Sequence, residues 1–200
     1  MKKMKKTFNI FVLLFATISC KSQIKDISEL GWNTPHGFYY KDNQNLLDTF
    51  VGTYIYTEGN TMLKIVLQKK EMSSVGGGLY HEDLIIGEYQ YIKDGVEIVN
   101  SLDRLNENFA DGANYSIDGN LVIGYGSPGC RECAINEKAL QLGMVDRASN
   151  NTASLYVRRI IVGGQTAIKI AIRWRAKTVL ESDPLIPASI PGKDFVLLKQ

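Results

Sequence analysis

The feature that most restricts the fold is a two-residue alternation of side chains, interrupted by short groups of turn-forming residues. Over residues 48–70, Phe50, Gly52, Tyr54 and Tyr56 alternate with Val51, Thr53, Ile55 and Thr57, and Leu63, Ile65 and Leu67 alternate with Lys64, Val66 and Gln68. A period of two sends successive side chains to opposite faces of a strand. Glu58-Gly59-Asn60 lies between the two runs, and Gly and Asn tolerate the positive φ that a tight hairpin needs. The prediction is a β-hairpin. The same reasoning gives a second hairpin over residues 84–102, turning at Lys93-Asp94-Gly95, with Ile85, Gly87, Tyr89 and Tyr91 on one face. A third covers residues 113–125 and turns at Asp118-Gly119-Asn120; a fourth covers 153–176 and turns at Gly163-Gly164-Gln165. In the last, Ile168, Ile170, Ile172 and Trp174 face one way, against Lys169, Arg173 and Arg175.

Residues 136–144 are ambiguous, because Glu137-Lys138-Ala139-Leu140 suits a helix whereas Leu140, Leu142 and Met144 alternate; continuity with the neighbours favours a strand. Gly76-Gly77-Gly78 reads as a loop, and no Gly-Lys-Ser or Gly-Lys-Thr comes after it to make it a phosphate loop. Pro184, Pro187 and Pro191 mark another loop before a closing strand at 194–198. The sum is an all-β fold, an antiparallel meander of about ten strands forming a closed or nearly closed barrel, with a β-sandwich as the alternative. Closure is favoured because it removes strand edges, and the last strand would shut the ring against the first hairpin.

The other strong signal is at the start. Lys2, Lys3, Lys5 and Lys6 precede an apolar run over residues 8–18, the cationic and hydrophobic parts of a secretory signal and too short to span a bilayer. Residues 16–20 resemble the lipobox of bacterial lipoproteins, with the small Ser19 before Cys20 and Thr17 where a Leu is usual. That resemblance implies a signal peptide over 1–19, a diacylglycerol on Cys20, and a lipid-anchored protein of the bacterial cell envelope, facing the periplasm or the cell surface. Residues 20–45 are then the lipidated N-terminus and tether, packed on the domain by Trp32, Phe38, Tyr39 and Tyr40, and 46–200 a single barrel-like domain. The four leader lysines exceed the formal net charge of +2, so the chain beyond the leader is mildly acidic and nucleic acid is not expected as a partner.

Few residues could carry chemistry. Cys130-Arg131-Glu132-Cys133 holds the remaining cysteines. In an oxidising envelope the default is a disulfide. A redox pair would want a low-pKa thiol at a helix N-terminus, and a zinc site would want about four ligands, where only the distant His36 and His81 are on offer. Tyr80-His81-Glu82-Asp83 sets a base beside carboxylates, and Glu82 with Glu88 or Asp83 would suit glycoside hydrolysis at the right separation. There is no Gly-x-Ser-x-Gly elbow. Tyr54, Tyr56, Tyr89, Tyr91 and Trp174 are either ordinary strand aromatics or the lining of an aromatic ligand pocket. No metal or cofactor is expected.

Two resemblances bear on function. Phe50-Val51-Gly52-Thr53-Tyr54 resembles the Gly-x-Trp opening strand of lipocalins, with Tyr54 for the Trp and Arg173 or Arg175 as the late arginine; it implies a calycin-like barrel holding a small apolar ligand. Ser19-Cys20-Lys21-Ser22-Gln23, residues 50–67, and Gly87-Glu88-Tyr89-Gln90-Tyr91-Ile92 with Gly95-Val96-Glu97 resemble an uncharacterised family of small bacterial lipoproteins of unknown function. The expectation is an envelope-anchored binding or interaction module, its partner a small apolar ligand or an envelope protein. The alternative is an envelope hydrolase or redox protein using His81 with Glu82, or Cys130 with Cys133.

Overall fold

The structure is a computed structural model that describes residues 23–31, 34–176 and 186–200. Cys20, the leader, Trp32 and Pro184 lie outside the described residues. Eleven strands are described: β1 (Gln23–Asp26), β2 (Phe38–Lys41), β3 (Gly52–Glu58), β4 (Thr61–Val75), β5 (Tyr80–Lys93), β6 (Val96–Asn100), β7 (Ile117–Ile123), β8 (Ala139–Val145), β9 (Thr152–Val162), β10 (Gln165–Trp174) and β11 (Asp194–Lys199). The helical content described is a set of short 3-10 turns.

Eight strands close an antiparallel barrel in the order β3, β4, β5, β7, β8, β9, β10, β11, with β11 returning to β3 through Leu198 opposite Ile55 and Lys199 opposite Tyr54. The barrel and the C-terminal closing strand agree with the sequence reading. β5 is the organising strand. One of its edges is zipped to β4, while the other is shared in succession by β2 at His81 and Glu82, β7 at Ile85–Gly87, and β6 from Gln90 onward. The ring therefore closes through only three residue pairs between β5 and β7.

The inward set comes from the period-two pattern. Tyr54, Leu63, Ile65, Leu67, Ile85, Tyr89, Leu140, Leu142, Leu155 and Ile170 are all buried in one continuous core, and each aliphatic side chain among them contributes about 1.5–3 kcal/mol on burial. Gly87 is the inward residue of β5 at its tightest point. A Cβ there would lie 2.7 Å from Leu67 Cδ2 and 2.8 Å from the Val66 carbonyl oxygen. The Asp94-Gly95 turn between β5 and β6 has φ of 51° and 82°, the conformation a two-residue hairpin requires.

One sequence expectation changes. Residues 113–125 are not a hairpin: β7 runs through Asp118-Gly119-Asn120 as one strand, with a bulge between Asp118 and Leu121 against β8. Gly119, at φ 136°, is spent on that bulge and not on a reversal. Residues 102–114 instead form 3-10 turns over the outer face of β5, where Leu84, Ile86 and Tyr115 pack with Leu105 and Phe109. Val96 and Ile98 are exposed, since β6 lies outside the ring. The packing expected of Phe38, Tyr39 and Tyr40 before residue 46 is present. β1 and β2 add to the sheet in parallel, and Ile27, Tyr40, Leu47 and Phe50 join the main core. Beneath them the buried Asp83 carboxylate accepts hydrogen bonds from Tyr39 Oη at 2.5 Å, Asp42 N at 3.0 Å and Met72 N at 3.2 Å.

Candidate functional site

The five aromatic candidates all join or pack against the barrel core, and four of them use their polar ends within the protein. Tyr54 Oη donates to the Phe50 carbonyl at 2.9 Å, and Trp174 Nε1 donates to the Ile190 carbonyl at 2.9 Å. Tyr89 Oη donates to Asp146 Oδ1 at 3.2 Å and accepts from Arg147 N at 3.1 Å. Tyr56 Oη donates to the Glu58 carboxylate, and its ring meets Phe195 edge-on at 5.1 Å between centroids. Tyr91 is buried. Burial raises the Tyr54 and Tyr89 hydroxyl pKa values above the ordinary tyrosine value. These residues fill the wall and interior of the barrel.

The carboxylates nominated beside His81 are held in separate networks. His81 and Glu82 are successive residues of β5 and so point to opposite faces. Burial raises the Glu82 pKa, opposed by Asn120 and reinforced by the charges of Asp118 and Asp111. Asp83 is engaged with Tyr39 and the Asp42 and Met72 amides. Glu88, fully buried, accepts from Ser116 N at 3.0 Å, from the Ser116 hydroxyl, and from Arg104 Nε at 3.3 Å. Arg147 continues this network, donating to Ser116 Oγ and to the Asn114 carbonyl, both at 2.9 Å.

Asp146 is the second buried anion near the seam. It takes hydrogen bonds from Ala148 N at 3.0 Å, Ser149 Oγ at 2.7 Å, Ser189 N at 2.6 Å and Ser189 Oγ at 2.8 Å, besides Tyr89. Burial pushes its pKa up, but the Ser189 amide, the Ser149 and Ser189 hydroxyls and the Ala148 amide outweigh that and hold it below the usual value. The local signal was present in the sequence: Asp146-Arg147-Ala148-Ser149 has the spacing of an Asx turn. Its tertiary partners Tyr89 and Ser189 had no local sign.

The cysteine pair leads to a different surface. Cys130 and Cys133 stand at disulfide distance, Cα–Cα 5.0 Å, and are 1 % and 4 % exposed in a small cluster with Ile123 and Ala139 against Tyr156. Burial withholds the sulfurs from an attacking thiolate, which suits a structural bond. Residues 124–138 fold as successive turns, closed by Ser127 N to Gly124 O at 3.1 Å, Cys130 N to Ser127 O at 2.9 Å and Cys133 N to Cys130 O at 3.2 Å. Gly129, at φ 79°, lies flat on Tyr156, where a Cβ would come within 2.2 Å of the ring. Glu137 fastens the far end, its carboxylate accepting from Ala134 N at 3.0 Å and forked onto Arg158 Nε and Nη2. The Arg158 guanidinium holds the Glu137 pKa below the carboxylate range, against a smaller upward push from burial.

Between this lip and the outer faces of β9, β10 and β11 is a cleft of about 370 Å³. Pro128, Tyr156 and Ala171 give it an apolar surface. Around that surface stand the cations Arg131, Arg158, Lys169 and Arg173, with the carboxylates Glu132 and Asp194. Lys169 Nζ is 3.0 Å from Glu132 and 3.7 Å from Asp194, and Arg173 Nη2 donates to Asp194 at 2.6 Å. Sequence reading singled out the cysteines and noted Lys169 and Arg173 as the outward set, but missed Tyr156, Arg158 and Asp194. They meet only because Lys169 pairs with Arg158, and Ala171 with both Tyr156 and Asp194. Among the described residues no group of three or more His, Cys, Asp and Glu side chains gathers to hold a metal ion.

Residues 4–200 match a family described as a family of unknown function, DUF6705. The chain belongs to DUF6705. No curated protein and no solved structure matches it. This DUF6705 member thus combines a closed β-barrel, a lip pinned by a cysteine pair and a cleft on the outer wall, an arrangement compatible with a binding module.

Proposed function

We propose that this protein is a binding module of the bacterial cell envelope, anchored by a lipid on Cys20, whose ligand site is the cleft beneath the lip of Cys130 and Cys133. The carrying observation is the cleft: about 370 Å³ with an apolar surface and convergent charges, within the roughly 300–1,000 Å³ typical of small-molecule sites. A rigid sheet supplies one wall and a loop the other, the usual division between scaffold and recognition. This moves the ligand from the barrel interior, where Tyr54, Tyr89 and Trp174 already have intramolecular partners, to the outer wall. It also replaces a purely apolar ligand by one with polar groups. The enzyme alternative has less support, since His81 and Glu82 diverge and both cysteines are buried.

Two experiments test the two halves. Amide chemical shifts of the purified protein, recorded against a collection of small organic compounds, should give saturable changes concentrated at Gly129, Tyr156, Arg158 and Lys169. Hits confined to the barrel interior, or to a surface remote from the lip, would reject the cleft. Growth of the producing cells with clickable palmitate should label the wild-type protein and leave Cys20→Ala unlabelled; a labelled variant or an unlabelled wild type rejects the anchor.

A further inference from the structure

We infer that the cleft takes a small organic carboxylate with a flat apolar body, and that Glu132 holds the head-group position in the free protein. The inference rests on the cleft being the ligand site. The three acids around the lip are held very differently. Glu137 is fixed by its fork to Arg158 and by Ala134 N, and Asp194 is clasped by Arg173 at 2.6 Å. Glu132 rides on the lip with a side chain 75 % exposed, its Oε2 3.0 Å from Lys169 Nζ and 4.0 Å from Arg158 Nη1.

An exposed ion pair of that kind contributes about 0–1 kcal/mol. Exchange of Glu132 for the carboxylate of a ligand is therefore close to neutral in charge terms, and contact between the ligand body and the wall decides the balance. When Glu132 swings away, Lys169 retains only Asp194, at 3.7 Å. Arg131, beside Glu132 on the lip, pairs with no carboxylate among the described residues. The cleft thus has cationic donors in excess of its fixed acids. The Tyr156 ring, Pro128 and Ala171 provide the surface on which a flat body would rest. The latch is already a carboxylate, which makes that group the template for the head of the ligand.

The probe is 2-naphthoate, titrated into the oxidised full-length protein and monitored by amide shifts, with 2-naphthamide and inorganic phosphate as comparison arms. Naphthoate should saturate with shifts at the lip and at Lys169. Glu132→Gln, which removes the competing anion, should bind it about two- to five-fold tighter. Lys169→Met, and the neutral amide on the wild type, should each bind about two- to five-fold more weakly. Unchanged or weaker binding by Glu132→Gln overturns the latch. Equal binding of naphthamide at the same residues overturns the carboxylate while leaving the cleft as the ligand site, and displacement by phosphate at equal concentration does the same. Naphthoate shifts confined to residues away from the lip, or no saturation by millimolar naphthoate, overturn the inference, and the former removes the cleft reading as well. The amide arm needs no variant, so a Lys169→Met protein that melts early leaves the test intact.

Discussion

Asp146 is a buried anion stabilised by a cage of N–H and O–H donors. Removing the charge in Asp146→Asn turns two acceptor oxygens into one acceptor and one donor, leaving Ser189 and Ser149 donors opposed by an amide; a loss of about 2–4 kcal/mol in urea unfolding is expected. The pH dependence has a definite sign. The folded pKa is depressed below the ordinary 3.8, so the stabilisation is present above that value and fades as pH falls through the folded pKa. Glu82 and Asp118, raised chiefly by burial, act the other way: their contribution is complete at low pH and is lost as pH rises through their elevated pKa values. Wild type minus Asp146→Asn stability should therefore shrink on acidification below about pH 4, and a difference that grows there would refute the assignment. Gly129 is equally local. With φ 79° and Tyr156 against it, Gly129→Ala should cost about 1–2 kcal/mol by thermal unfolding and displace the lip, and so weaken naphthoate binding.

Among the elements, the hairpins were legible where residues that tolerate positive φ separated two alternating runs. Gly59-Asn60, Asp94-Gly95 and Gly163-Gly164 all turn the chain as composition suggests. Asp118-Gly119-Asn120 has the same composition and makes a bulge, because a glycine dihedral serves either purpose and the choice depends on which strands lie alongside. β1 and β2 were not legible as strands, since β1 pairs in parallel with β2 and β2 with β5, far along the chain, and they carry no hairpin of their own. The cleft was hidden for the same reason: alternation gives the outward set of each strand, but only register sets Arg158 beside Lys169. The most demanding point on an element is Gly87, where β5 approaches Leu67 and the Val66 carbonyl of β4. Gly87→Ala should lower stability by about 1–3 kcal/mol, read as a lower urea midpoint; a variant as stable as wild type would mean that β5 has room to move.

At the scale of the molecule, the cysteine pair and the barrel are separable. A bond between Cys130 and Cys133 closes a very small ring, so the double variant Cys130→Ser/Cys133→Ser should cost no more than about 2 kcal/mol and keep the β-sheet circular dichroism of the wild type, while the lip loses its shape. Loss of the sheet signal would show that the lip holds the barrel together. Barrel closure was legible from the strand count and the final run of residues 194–198; the three-way sharing of β5 was not, as nothing local to its sequence divides one edge among β2, β7 and β6. The closing strand has one more consequence. β11 docks on β3, and Lys199 Nζ donates to the Val51 carbonyl across 148 residues of sequence. The barrel cannot close until residue 199 is available, so a chain lacking β11 presents a bare edge on both β3 and β10. Such a chain is an open sheet with an unmet demand for a partner strand.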